Sequence, residues 1–168
     1  MRKFIVTLLN AGISAMMFYA YVVTGSSALL AEAFHNVSDF LCLLFSVLSK
    51  YEALSALLNG SFVIVASVLV MAKAILGRVS GGKVITLVSS IALIVNIVGW
   101  ALLRERGLDM RAMRLHLAGD ALFSGLVVLA GLAVSKGVVF VDKVVAMIIS
   151  SYMFLHGLGI VKESLDKL

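Results

Sequence analysis

The chain has no proline and only one cysteine in 168 residues. With no second cysteine, Cys42 cannot close an internal disulfide, and cysteine-based zinc modules are excluded. No Pro/Ser linker or low-complexity tract marks off a second domain, and the length suits one. Charge is also scarce. Asp, Glu, Lys and Arg make up 14% of the residues against 62% hydrophobic ones, and mean hydropathy is +1.12. That is far above the apolar share of a soluble domain. No His-Glu-x-x-His run of a metalloprotease is present. The formal net charge is +5, a sign that often points to nucleic acid. Here the basic residues sit between apolar runs, as cytoplasmic membrane loops require. No nucleic-acid partner is expected.

Six apolar runs are long enough to cross a hydrocarbon core of about 30 Å, which takes about 20 helical residues. They lie near Phe4–Val23, Ser27–Ser49, Ala53–Gly77, Val84–Leu103, Met110–Ser135 and Val139–Val161. Short links separate them: Thr24-Gly25-Ser26, Lys50-Tyr51-Glu52, Arg78 to Lys83, Arg104-Glu105-Arg106-Gly107 and Lys136-Gly137. The expected fold is an all-α membrane protein, a bundle of six transmembrane helices forming a single domain over 1–168. Six crossings put both termini on one side. Arg2, Lys3, Lys50, Arg104, Arg106, Arg111, Arg114, Lys162 and Lys167 fall on that side, nine against five (Lys73, Arg78, Lys83, Lys136, Lys143), so that side is expected to be cytoplasmic. Met1-Arg2-Lys3 before an apolar run resembles a signal peptide. The run is too long for a signal core and lacks a clean cleavage site, so it reads as a retained first helix.

Two copies of one pattern stand inside these runs: His35-Asn36-Val37-Ser38-Asp39 and His116-Leu117-Ala118-Gly119-Asp120. Each puts an imidazole and a carboxylate four residues apart, on one face of a helix. Ionisable groups within a lipid-spanning helix are costly and by default line an ion path or a binding site. Two pairs supply four ligands of the kind zinc accepts in a tetrahedron. The plainer reading is that they are buried polar residues bonding helices together. The pairs are offset by 116 − 35 = 81 residues, close to half the chain, in spans that cross in opposite directions. That hints at two inverted three-helix halves with a site between them.

The surrounding residues extend the pattern. Ser27-Ala28-Leu29-Leu30-Ala31-Glu32-Ala33-Phe34-His35-Asn36-Val37-Ser38-Asp39 resembles the second-helix signature of the cation diffusion facilitator family of zinc transporters. Glu52 to Gly60 resembles the start of that family's third helix, Met110 to Ser124 its fifth, and Lys162 to Asp166 the end of its sixth. The resemblance implies a six-helix, proton-coupled exporter in the cell (inner) membrane, usually a homodimer in the lipid bilayer. It implies a metal site of His35, Asp39, His116 and Asp120. Zn2+ is the implied substrate, with Cd2+ or Co2+ as alternatives and H+ as the coupling ion. The family normally continues into a cytoplasmic ferredoxin-like domain. This chain stops at Leu168 without one, which reads either as a natural minimal member or as a truncated piece. The His-rich loop of many members is also missing, and Lys73 stands where an acidic residue is common.

Around the quartet, Asn36, Ser124 and Glu32 are candidates to support the ligands. Each has a plainer alternative: an interhelical hydrogen bond for Asn36, packing for Ser124, an interface carboxylate for Glu32. Asn10 and Asn96 read as interhelical amides, and His156 as a partnered or lumen-facing histidine. Glu52 reads as a cap or a partner of Lys50, and Trp100 and Tyr51 as interfacial anchors. The function expected is export of a divalent metal in exchange for protons by alternating access, not catalysis. The alternatives are an intramembrane metal enzyme, which would need an open coordination position, or a non-transporting zinc-binding subunit.

Overall fold

The computed structural model of the chain describes residues 2–48, 52–102 and 108–167, with side chains over 11–42, 44, 52–101 and 114–167. The links around Lys50-Tyr51 and Arg104-Glu105-Arg106-Gly107, and the side chains of Arg2, Lys3, Asn10 and Arg111, lie outside the described residues. Six helices follow the apolar runs: α1 (Arg2–Thr24), α2 (Ser27–Leu48), α3 (Glu52–Leu76), α4 (Gly82–Leu102), α5 (Leu108–Ser135) and α6 (Phe140–Leu165). No strand occurs among the described residues. The last helix runs on to Leu165, past the Val161 at which its apolar run ends. Its final turn is polar, and helical hydrogen bonding does not stop where hydropathy does.

The turns have local causes. Gly25 holds a φ of +71°, which a residue with a Cβ rarely adopts, and this reverses the chain between α1 and α2. Ser26 then starts α2 as its N-cap, its Oγ accepting the Leu29 N–H at 3.1 Å. Across the same end of the bundle the Ser80 N–H donates to the Thr24 carbonyl at 2.9 Å, so the α1–α2 and α3–α4 links are joined.

Helices α1, α2, α5 and α4 close a ring in which each touches the next, and α4 returns to α1. Helices α3 and α6 pair with each other and dock on α2, with α6 also against α5. The core between them includes Met17, Leu29, Ile85, Val127, Ile149 and Met153, all essentially buried. Packing is closest between α4 and α5. A Cβ built on Gly131 would come within 2.6 Å of both the backbone N and the Oγ1 of Thr86. Only glycine lets the two backbones approach this far.

The outside of the bundle is apolar as well. Leu58, Val65 and Leu69 on α3, Leu87 and Ile94 on α4, and Leu122 and Leu129 on α5 are exposed. Among the described residues Glu52–Leu76, Gly82–Ala101, Arg114–Ser135 and Phe140–Leu165 are long and apolar enough to cross a membrane, and Ala11–Thr24 is a shorter apolar helix. Helices that are apolar all round, with every backbone group bonded internally, suit lipid rather than water. The chain is a multi-pass integral membrane protein.

Candidate metal centre

Helices α2 and α5 run side by side in opposite directions, and this turns two i, i+4 pairs into one cluster. In an antiparallel pair the first residue of one motif meets the last of the other. His35 Nε2 lies 3.1 Å from Asp120 Oδ1, and His116 Nε2 lies 3.2 Å from Asp39 Oδ2. Along each helix His35 Nε2 is 3.9 Å from Asp39 Oδ2, and His116 Nε2 is 3.6 Å from Asp120 Oδ2. The structure therefore brings all four sequence-predicted residues together.

These spacings can be compared with what a metal needs. Bonds of about 2.0–2.2 Å from zinc to nitrogen and oxygen give a tetrahedron with edges of about 3.3–3.6 Å. The four separations lie on both sides of that range. His35, Asp39 and Asp120 each offer one ligand atom within 4.8 Å of the others, and His116 Nε2 reaches both carboxylates. Asp120 Oδ2 is a buried atom that accepts no hydrogen bond, and buried Asp39 Oδ2 has only the His116 Nε2 contact at 3.2 Å. Leaving a buried acceptor bare costs about 1–3 kcal/mol. A cation among the four groups would remove that cost and balance the two carboxylates.

Aromatic neighbours hold the first imidazole. The His35 ring meets Phe123 edge-on at 5.2 Å and Tyr152 at 6.4 Å, and Tyr152 touches Phe123 at 5.2 Å. Sequence reasoning did not single out Phe123 or Tyr152. Phe123 is seven residues beyond His116, on the same helix face, which was the available signal. Access to the cluster is one-sided. Relative exposure is 2% at Asp120 and 12% at His35, then 23% at Asp39 and 43% at His116. The site is open toward the Leu48 end of α2 and closed toward its Ser27 end.

On the closed side the seam continues. The Ser124 hydroxyl donates to Glu32 Oε1, and Asn96 Nδ2 on α4 donates to Ser124 Oγ at 3.3 Å. Glu32 and Ser124 thus face each other one turn nearer the closed end than His35 and Asp120. Asn36 turns the other way. Its amide donates to Met17 Sδ on α1 at 3.5 Å, so it binds α2 to α1 and not to the cluster.

The family model described as the cation efflux transmembrane domain matches residues 4–168. The chain belongs to the cation efflux family. Zinc transporter ZitB of Escherichia coli (strain K12) is 26% identical over 172 residues, which cover 87% of this chain and 55% of that protein. The same figures hold for zinc transporter ZitB of Shigella flexneri. The cadmium, cobalt and zinc/H(+)-K(+) antiporter of Bacillus subtilis (strain 168) is 26% identical over 170 residues, 85% of this chain and 55% of that protein. The chain spans about half the length of the curated relatives it matches. The family comprises transporters rather than enzymes.

Other residues singled out in the sequence fall in plain places in this cation efflux bundle. Exposed His156 stacks on Tyr152 with ring centroids 6.0 Å apart. Trp100 is half-exposed, with the Arg114 guanidinium 4.8 Å above its ring. Glu52 opens α3 and is exposed. One buried acid escaped the sequence reading. Asp142 is 1% exposed at the start of α6. It accepts the Ser26 hydroxyl, the Ser27 N–H at 2.8 Å and the Ala28 N–H at 3.4 Å. An acid within an apolar run was the signal, the same one that marked the quartet.

Proposed function

We propose that the chain is the membrane part of a divalent-metal exporter that carries Zn2+ out of the cytoplasm in exchange for protons, with Cd2+ and Co2+ as alternative substrates. The reading rests above all on the two His–Asp pairs that meet across the α2–α5 seam, with nitrogen–oxygen separations of 3.1, 3.2, 3.6 and 3.9 Å. Two imidazole nitrogens favour zinc-like ions over magnesium or calcium, which prefer all-oxygen shells. Two carboxylates neutralise the ion's charge, which makes the site tolerable in low dielectric. The relatives, a zinc transporter and a cadmium, cobalt and zinc antiporter, support the same substrate class. Four protein ligands leave no open position for activated water, which disfavours the enzyme alternative.

Exchange follows from ligand chemistry. A group must shed its proton to bind metal, so metal and protons compete for the same four side chains. Opening toward one side loads the ion. Opening toward the other lets protons displace it, provided the two orientations differ in affinity. The excess of basic residues on the terminal side puts both termini, and the more open end of the site, in the cytoplasm. The protein acts in the cell (inner) membrane as a homodimer, with all six helices spanning and 1–168 forming one domain.

The test is zinc flux into proteoliposomes carrying a pH gradient. Wild type accumulates zinc, while Asp39→Ala and Asp120→Ala do not. Equal accumulation by all three, or none by the wild type under any gradient, overturns the reading.

A further inference from the structure

Glu32 is the one other acid on the α2–α5 seam among the described side chains, and a hydrogen bond alone does not account for it. It is 1% exposed. Its Oε1 accepts the Ser124 hydroxyl, while its Oε2 has no partner. Ser124 and Asn96, which complete the chain of hydrogen bonds, are equally buried. A glutamine would join α2, α4 and α5 just as well without a charge. Beyond this point the three helices turn apolar: Leu29 and Ala28 on α2, Ala92 and Val88 on α4, Val127 and Ala130 on α5 are all buried. Buried Ser89 on α4 is the exception among them. Glu32 is therefore the last acid that α2, α4 or α5 places between the quartet and the closed end.

We propose that Glu32, Ser124 and Asn96 form a second cation station, built of oxygen donors, that receives the metal from the quartet on its way out. The proposal rests on the export reading above. The donors are the two Glu32 oxygens, the Ser124 Oγ and, once its amide rotates, the Asn96 Oδ1. The rise from His35 to Glu32 is about 4.5 Å, three residues at 1.5 Å each, a single short step for an ion. The station offers no imidazole and one carboxylate instead of two. It holds a zinc-like ion more weakly than the quartet does. A weaker oxygen station suits release, because an exporter must let its cargo go. It forms when the apolar outer ends of α2, α4 and α5 part, and the bare Oε2 is the ligand atom waiting for that state.

The full chain in proteoliposomes tests this, with Zn2+ as probe, by comparing Glu32→Gln, Glu32→Asp and Ser124→Ala. Glu32→Gln keeps an acceptor for Ser124 and removes the charge. It is expected to lower kcat about tenfold or more, the loss of one charge-assisted contact, and to leave KM on the loading side within about twofold. Zinc affinity of the detergent-solubilised chain, read by calorimetry, stays at the wild-type value because the quartet is intact. Glu32→Asp restores part of the turnover, and Ser124→Ala falls between Glu32→Gln and wild type. Wild-type turnover in Glu32→Gln overturns the proposal. So does loss of calorimetric zinc binding in that variant, since Glu32 would then serve only to hold the quartet. So does a Ser124→Ala loss as large as that of Glu32→Gln, since the hydrogen bond and not the charge would matter. Asp39→Ala, run alongside, separates the two readings: if it transports normally, the export site itself is wrong.

Discussion

Replacing Asp142 with alanine should loosen the bundle at its closed end by a calculable amount. Helix α2 begins with three backbone N–H groups that no carbonyl of its own helix can accept. All are accounted for. Leu29 donates to the Ser26 Oγ, and Ser27 and Ala28 donate to Asp142 of α6. Ser26, Ser27, Ala28 and Asp142 are each buried to within 2%, so water cannot take over when the carboxylate is removed. The Ser26 hydroxyl can rotate to another acceptor, and the Ala28 contact at 3.4 Å is long. Counting two orphaned N–H equivalents at about 1–2 kcal/mol each gives a loss of about 2–4 kcal/mol. For a chain of this size each kcal/mol shifts Tm by about 2–4 °C, so Asp142→Ala should melt about 5–15 °C lower. The assay is the monodisperse fraction of detergent-solubilised protein after heating, read by size-exclusion chromatography. Ser26→Ala, which removes one cap oxygen, should cost about 1 kcal/mol and shift the midpoint less. If Asp142→Ala melts within 2 °C of wild type, about half a kcal/mol, the carboxylate is not capping α2.

Three further outcomes follow from the same geometry. Asp120→Asn should weaken zinc binding in calorimetry by about a hundredfold or more, beyond the 10- to 100-fold typical of supporting residues, because it removes a buried ligand and leaves the site one charge short; a loss under tenfold would remove Asp120 from the ligand set. Zinc affinity should fall as pH drops from 7.5 to 5.5, because protons bind the free site and are expelled by metal; an affinity unchanged over that range would rule the two histidines out as ligands. Gly131→Val should destabilise the protein by about 1–3 kcal/mol or more, since the first added carbon already meets Thr86 at 2.6 Å; an unchanged melting midpoint would show that α4 and α5 are not so close.

Much of the plan is legible in the chain because lipid enforces a simple rule. Apolar runs without proline have one hydrogen-bonded form available, so six runs read directly as six helices. The quartet is legible for the complementary reason. His35, Asp39, His116 and Asp120 are out of place in lipid, and their repeated spacing says that they share a face. Periodicity along one helix says nothing about which helix lies opposite. That is why Asn36, adjacent to a ligand in sequence, meets Met17 of α1, and why the ring of α1, α2, α5 and α4 appears only in three dimensions. Asp142 shows the same limit from another side. An acid in the first turn of a helix is readily assigned to that helix's own dipole. Here it serves the start of a different helix, more than a hundred residues earlier in the chain. Reading buried acids in membrane helices therefore needs one more question than whether they recur in a motif. Glu32 and Asp142 each occur once, yet each is as deeply buried as Asp120. What distinguishes them is the number of their oxygens that find a donor. Asp142 has both satisfied and acts as a fixed joint, whereas Glu32 keeps one free, as Asp120 does. A buried carboxylate with an unused oxygen is costly at rest, and it is best explained by a state in which that oxygen binds an ion.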